Sequence, residues 1–313
     1  MTGKMWDEEI LRRDGTLLQS WEWSKLQESL GRVVHLTSEP YALLVSMPLP
    51  FGMRYEYAPH GPAGTVINSE ALHELSEHTH GERTIFLRIE PRVAESPQAT
   101  GALMHAGFKK AADVQPSETM FLDLRRGEED ILRDMEHDTR YAIRVAKKRG
   151  VVVTTAEGDE KHSAFAKFWE LFETTNVRHG LHAYSKRYYE AVAALEGSCR
   201  TELFLAEREG VTLAAAIVAY FGSVAYYLYA ASRAGCGKYN APSLLLWEVI
   251  RRAQIKGLNS LDLWGASAAK KEWRGVTAFK KSFGGTPRLF VGTWDYVYRP
   301  FWYFMYRLAV RFR

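Results

Sequence analysis

Tyr226-Tyr227-Leu228-Tyr229-Ala230-Ala231-Ser232 opens the stretch that decides the fold, and Phe279-Lys280-Lys281-Ser282-Phe283-Gly284-Gly285 closes it. Between them lie a glycine-bearing turn, Tyr239-Asn240-Ala241-Pro242, an amphipathic run from Ser243 to Lys256, and Leu261-Asp262-Leu263-Trp264-Gly265. The order is strand, turn, helix, strand, and then a lysine held between two phenylalanines. Upstream, Glu202–Glu207, Thr212–Phe221 and Val224–Ala231 alternate as a meander, with Glu209-Gly210 and Gly222-Ser223 as its turns.

Working outward, Gly127 to Arg149 reads as one long helix stopped by Gly150, with Val151–Thr155 as a strand and helices over His162–Asn176 and Ser185–Leu195. The first part of the chain repeats the theme. Trp21–Leu30 is a short helix ended by Gly31, Val33–Leu36 and Ala42–Met47 are strands, and Ser69 caps a helix to about Glu77. Thr84–Ile89 and Thr119–Leu124 are strands on either side of a helix over Ser96–Ala106. We expect two α/β domains of similar build, 1–138 and 139–287, with 288–313 packing back on the first. No Pro/Gly/Ser linker separates them, so the halves are expected to pack together.

Composition narrows the function classes. The 313 residues suffice for two cores, and 46% hydrophobic with 25% charged residues is ordinary for a globular protein. A net charge of +4 excludes a histone-like binder but allows a local basic face. Two cysteines, Cys199 and Cys236, make no disulfide framework, which points to the cytoplasm. Neither a signal peptide nor an apolar run long enough to span a bilayer is present, so any membrane contact is expected to be peripheral.

Several chemistries find no residues. His78 and His80, and His179 and His182, lack carboxylates or cysteines at ligand spacing, so no metal centre is expected. Nucleophile-elbow and Walker patterns are absent, and neither cysteine has an evident base.

Lys280 is the sharpest position that remains. Phe279 and Phe283 lie four apart and would anchor a helix face in the core, with Lys280 at its edge, placed to stabilise an oxyanion. The alternative is a solvated basic face shared with Lys270, Lys271 and Lys281. Arg140, Arg144 and Lys148 fall at i, i+4 and i+8 beside Lys147 and Arg149, a stripe that can meet RNA phosphates or simply face water. Arg233-Ala234-Gly235-Cys236-Gly237 sits between strand and helix, where a glycine turn can cradle a pyrophosphate, or can be an ordinary turn. Tyr296 to Arg313 is aromatic, Arg-bearing and amphipathic. It suits an anionic membrane surface or a terminal helix packed on its own domain.

The layout resembles acyltransfer domains of GNAT type, and its words resemble the Fem family of peptidoglycan-bridge aminoacyltransferases. Those words are Gln19-Ser20-Trp21-Glu22-Trp23-Ser24-Lys25, Leu87-Arg88-Ile89-Glu90-Pro91, Thr139-Arg140-Tyr141-Ala142-Ile143-Arg144, Arg178-His179-Gly180, Asn240-Ala241-Pro242, Leu261 to Gly265, and Phe279 to Gly285, in that order. The family's heptad arm is missing, so the chain is similar to its compact members. The resemblance implies mixed α/β sheets in two tandem GNAT-like domains with a cleft between them. It also implies aminoacyl-tRNA as donor co-substrate, no cofactor, and a nucleotide- or lipid-linked muropeptide as acceptor.

The resemblance further implies that Lys280 with Phe279 carries catalysis, that Glu90 lies near the acceptor peptide, and that Tyr188 and Tyr239 fall in substrate-cleft segments. Two positions depart from the family pattern. Gln27 stands where compact members carry a phosphate-binding lysine, with Lys25 nearby, and Tyr184 stands where they carry an arginine, with Lys186 and Arg187 just beyond. Arg140, Arg144, Lys147 and Lys148 are the residues expected at the tRNA. A monomer is expected, cytoplasmic, touching the inner membrane face through 296–313 if at all. The rival readings are an acetyl-CoA-dependent N-acyltransferase and a non-enzymatic module that binds RNA or an anionic surface.

Overall fold

The computed structural model describes Thr2–His179, Tyr184–Ser267 and Trp273–Arg311. The chain divides into two compact units, Met1–Ser117 with Leu289–Arg313, and Glu118–Arg288. The division therefore falls at Ser117/Glu118 rather than near Asp138.

The first unit begins with helices α1 (Gly3–Arg12) and α2 (Trp21–Ser29). Strands β1 (Val33–Ser38), β2 (Tyr41–Pro48) and β3 (Arg54–Ala58) follow, then α3 (Ser69–Thr79), β4 (Thr84–Ile89), α4 (Pro97–His105) and the short β5 (Lys109–Lys110). Helix α1 carries no obvious signature in the sequence because its role is tertiary. Trp6 and Ile10 are buried, and the Asp7 carboxylate accepts the Trp21 N–H at 2.7 Å at the start of α2. Helix starts follow local chemistry: Ser20, Asn68 and Ser96 accept the first free N–H groups of α2, α3 and α4. Such caps contribute about 1 kcal/mol each. Asn68, not Ser69, is the cap of α3.

The second unit starts with β6 (Glu118–Asp123), then α5 (Glu128–Asp134), α6 (His137–Lys148), β7 (Val152–Ala156), α7 (Glu160–His179) and α8 (Lys186–Ala193). Strands β8 (Cys199–Arg208), β9 (Val211–Phe221) and β10 (Val224–Ser232) form the meander. Helix α9 (Ala241–Ile255), β11 (Ser260–Gly265), α10 (Arg274–Lys281) and β12 (Thr286–Leu289) complete it. Its sheet runs β12-β6-β11-β10-β9-β8-β7. Because β6 pairs with β11, Glu118–Asp138 belongs to this unit. The unbroken apolar run of β9 is buried on both faces, with α7 and α9 packed against it.

The expected single helix over Gly127–Arg149 is two helices. Met135 and Glu136 take extended backbone angles, with ψ of 148° at each, and the Glu136 N–H bonds the Ser282 carbonyl at 2.9 Å. The break buries Met135 without interrupting the apolar spacing, so periodicity alone does not expose it.

The chain then returns to the first unit as β13 (Trp294–Val297) and α11 (Pro300–Arg311). β13 lies between β4 and β5 in a sheet ordered β1-β2-β3-β4-β13-β5, antiparallel to both neighbours. The sheet is antiparallel except for the β3–β4 pair. No described helix is long and apolar enough to cross a membrane.

Candidate active site

The site grows from a fault in the second sheet. Strands β10 and β11 run parallel and pair only at Val224↔Ser260, Ala225↔Leu261 and Tyr226↔Asp262. Beyond that point β10 is bulged between Tyr227 and Tyr229, and β11 between Asp262 and Gly265. Bulges bend and twist a strand away from its partner, and the parallel ladder stops there.

Trp264 makes the second bulge with φ +56°, a left-handed conformation that costs a tryptophan about 1–2 kcal/mol. Asp262 holds it in place. The fully buried Asp262 carboxylate accepts the Trp264 N–H at 2.8 Å and the Thr119 hydroxyl. The bulge turns two strand carbonyls toward α10. There Lys280 Nζ donates to the Gly265 oxygen at 2.7 Å and to the Trp264 oxygen at 3.3 Å.

Lys280 is only 8% exposed, so it is not part of a solvated face. Helix α10 is anchored by Thr277 Oγ1, which donates to the Ser267 carbonyl at 3.0 Å, and by fully buried Phe283, whose ring meets Phe279 at 5.2 Å. Burial lowers the Lys280 ammonium to about 8, against the pull of the Asp262 charge. Two of its three N–H groups go to these carbonyls, and the third has no hydrogen bond among the described residues. Lys281 is exposed, and Lys270 and Lys271 lie outside the described residues.

Just past the bulge in β10, Tyr229 Oη lies 3.3 Å from Tyr188 Oη of α8. Tyr189 packs edge-on to Tyr229 at 4.9 Å, and Tyr184 lies 4.4 Å from Tyr188. Burial pushes the Tyr229 phenol well above its usual range. Tyr184 and Tyr188 thus come together. Tyr229 joins them unannounced, because nothing in a tyrosine-rich strand marks which ring the bulge will turn. Lys186 and Arg187 are exposed on α8, with Lys186 Nζ 5.9 Å from the Trp169 ring. Gly180 of the Arg-His-Gly word lies outside the described residues.

A second feature of this unit is an open cleft of about 640 Å³ lined by Lys148, Arg149, Arg208, Glu209, Lys238 and Tyr239. Its cations come from the end of α6, the end of β8 and the loop before α9. Arg208 ties them together, donating from Nε to the Arg149 carbonyl at 2.9 Å and from Nη1 to Tyr239 Oη at 3.0 Å. The Tyr239 ring carries Arg208 at 4.9 Å and Lys238 at 5.1 Å. Tyr239 therefore belongs to the basic cleft, whereas Tyr188 belongs to the tyrosine group. Arg208 has no sequence signal beyond its place next to a Glu-Gly turn.

The expected basic stripe on α6 is divided. Lys148 and Arg149 line the cleft, and exposed Arg144 makes no ion pair among the described residues. Lys147 pairs with Glu248 of α9 at 3.3 Å. Arg140 folds back onto the end of α5, where its guanidinium takes the carbonyls of Leu132, Arg133 and Met135. All three contacts are made by Nη1 alone. In the glycine turn, Arg233 is likewise committed, to the Thr212 carbonyl at 2.8 Å and Glu170 at 2.9 Å.

In the first unit, Glu90 is buried and receives four donors: the hydroxyls of Tyr57 and Thr293, and the N–H groups of Val114 at 3.0 Å and Gln115 at 2.9 Å. Burial raises its carboxyl, outweighing those hydrogen bonds. Lys25 is exposed, paired with Glu28 at 2.9 Å and lying 4.7 Å over Trp21. Gln27 is buried and accepts from Arg32 Nη1 at 2.5 Å.

Two mixed α/β units, one with a parallel strand pair that parts beside a buried lysine, have the layout that the resemblance to tandem GNAT-like domains implies. The model of the FemAB family matches residues 11–207 and 196–311, and the chain belongs to that family. A UDP-N-acetylmuramoylpentapeptide-lysine N(6)-alanyltransferase of Weissella viridescens is 26% identical, covering 94% of this chain and 93% of its own length. A lipid II:glycine glycyltransferase of Staphylococcus aureus is 23% identical over 91% and 88%. The crystal structure of FemX superposes with a TM-score of 0.81 at 20% identity, covering 97% of this chain and 98% of that one.

Proposed function

We propose that this aminoacyltransferase moves an aminoacyl group from the 3′ ester of an aminoacyl-tRNA to a primary amine on a peptidoglycan-precursor peptide. The observation that carries the reading is the buried Lys280 ammonium, fixed by two strand carbonyls where β10 and β11 part. The relatives' own names describe aminoacyl transfer to a muropeptide lysine and to lipid II.

In the reaction the acceptor amine attacks the ester carbonyl carbon. The carbon–nitrogen bond forms, the carbon–oxygen bond to the ribose breaks, the amine loses a proton and the ribose oxygen gains one. An ester is already activated, so positioning and stabilisation of the oxyanion suffice, without an enzyme nucleophile. The free N–H of Lys280 supplies that stabilisation. The basic cleft with Lys148, Arg149, Arg208 and Lys238 suits phosphates of the tRNA acceptor end, and Tyr239 offers a ring face to a base.

The test is turnover of purified protein with several charged tRNAs and with nucleotide-linked and lipid-linked acceptors, beside an acetyl-CoA titration. Product that requires charged tRNA supports the reading. Tight binding of acetyl-CoA with no tRNA-dependent product replaces it with the N-acyltransferase reading.

A further inference from the structure

Helix α11 has two apolar faces, and the first unit covers only one. On the inner face, Tyr303 and Tyr306 meet Phe86 at 5.2 and 4.9 Å. Tyr303 Oη donates to Asp295 at 2.8 Å, and Tyr306 Oη accepts from Arg88 at 3.2 Å. The outer face carries Phe301, Phe304, Met305 and Leu308, at i, i+3, i+4 and i+7, the spacing of a continuous helical stripe. Phe301 is 68% exposed and Phe304 63%.

A second element continues the same surface. The loop Pro48–Met53 carries no charged residue, and at its tip Phe51 is 86% exposed. Phe51 has φ +61°, a left-handed conformation unfavourable for a phenylalanine and one that local packing does not reward with burial. Its ring lies 5.8 Å from that of Trp302, on the flank of the α11 stripe. The opposite flank carries Arg307 and Arg311, and α11 contains no carboxylate. Arg83 reaches Gly52, beside Phe51.

We propose that Phe51 and the outer face of α11 seat the protein on the surface of an anionic lipid bilayer. An aromatic and aliphatic band fits the acyl boundary, while arginines along its edge fit anionic headgroups. A helix docked along its length on the sheet can only lie flat on such a surface, and the loop gives a second point of insertion. The charge pattern decides for this occupant, because a basic rim with no acid on the helix repels a second copy of itself at the same edge. This seating is independent of whether the acceptor amine is carried on lipid or on nucleotide, and vesicle binding is read without the reaction.

The full chain is floated with vesicles of phosphatidylcholine alone and with added phosphatidylglycerol. We expect binding to the anionic vesicles that weakens with salt. Phe51→Ser with Phe304→Ser and Leu308→Ser should lower it about tenfold or more, with unfolding temperature unchanged because none of the three is buried. Arg307→Glu with Arg311→Glu should lower it about fivefold per arginine. Failure to bind anionic vesicles, or equal binding by both variants and the parent, would overturn the inference. So would a concentration-dependent dimer in sedimentation that the triple serine variant abolishes, since the second copy would then be the occupant.

Discussion

Arg88 and Asp295 stand directly opposite one another in the β4–β13 ladder and form a two-pronged ion pair, Nε to Oδ1 and Nη2 to Oδ2, both at 2.8 Å. Both side chains are buried, so the returning strand is held by charge as well as by its ladder. Arg88 belongs to the same sequence word as Glu90, whose carboxylate ties the segment around Val114 and Gln115 to the same sheet.

Removing one partner of that pair leaves the other charged and buried. Arg88→Met should destabilise the protein by about 3–5 kcal/mol, the usual penalty for half of a buried pair. Denaturant unfolding measures it. A loss of less than about 1 kcal/mol would mean water reaches Asp295.

Lys280→Met should lower turnover by about a hundredfold or more, on the scale of one missing oxyanion donor, while tRNA binding stays largely intact. Near-parental turnover would remove Lys280 from the mechanism.

The Lys280 ammonium titrates at about 8. If its charge stabilises the oxyanion, the rate constant should fall as pH rises through about 8, against the opposite trend expected from a deprotonating acceptor amine. Lys280→Arg keeps the charge at all these pH values, so whatever activity it retains should lack the falling limb. An unchanged limb in that variant would assign the titration to another group.

The same depressed value has a stability signature. Between about 8 and the unfolded value of 10.5 the unfolded chain holds a proton on this lysine that the folded chain has released. The cost of burying the charge, present in full below that window, is therefore relieved as pH rises across it. Relative to Lys280→Met, the parent should gain stability with pH in this window. Parallel curves would show that burial does not disfavour the charge.

The cations of α6 and of its C-cap Arg149 lie in two settings, the basic cleft and the end of α5, and the proposed tRNA contact belongs to the first. Lys148→Glu with Arg149→Glu should weaken tRNA binding and flatten its salt dependence by about one unit of slope for each phosphate no longer neutralised. Arg140→Gln should lower stability through the α5 carbonyls it leaves, with the slope unchanged. A flattened slope in Arg140→Gln would return that residue to the RNA face.

The elements of the second unit are legible because their signals are local: meander turns, the apolar run of β9, and two phenylalanines four apart. Lys280 is legible as a position but not as a geometry. Its direction depends on carbonyls that the Trp264 bulge turns, and a bulge held by Asp262 and Thr119 joins residues far apart in the chain. Arg140 reads as one more helix cation because its partners are backbone oxygens, which carry no sequence identity. The extended step at Met135 and Glu136 preserves the apolar spacing on either side and so hides within it.

Because β13 fills the place between β4 and β5, the first sheet is built from both ends of the chain, and β5 joins it only through β13. On a ribosome, every residue of the second unit emerges before Trp294–Val297 do. The second sheet can thus close while the first is still missing a strand, with its β4 edge open and Arg88 unpaired. Synthesis order, rather than stability, then makes the first unit the last to finish and the more exposed to chaperones and proteases.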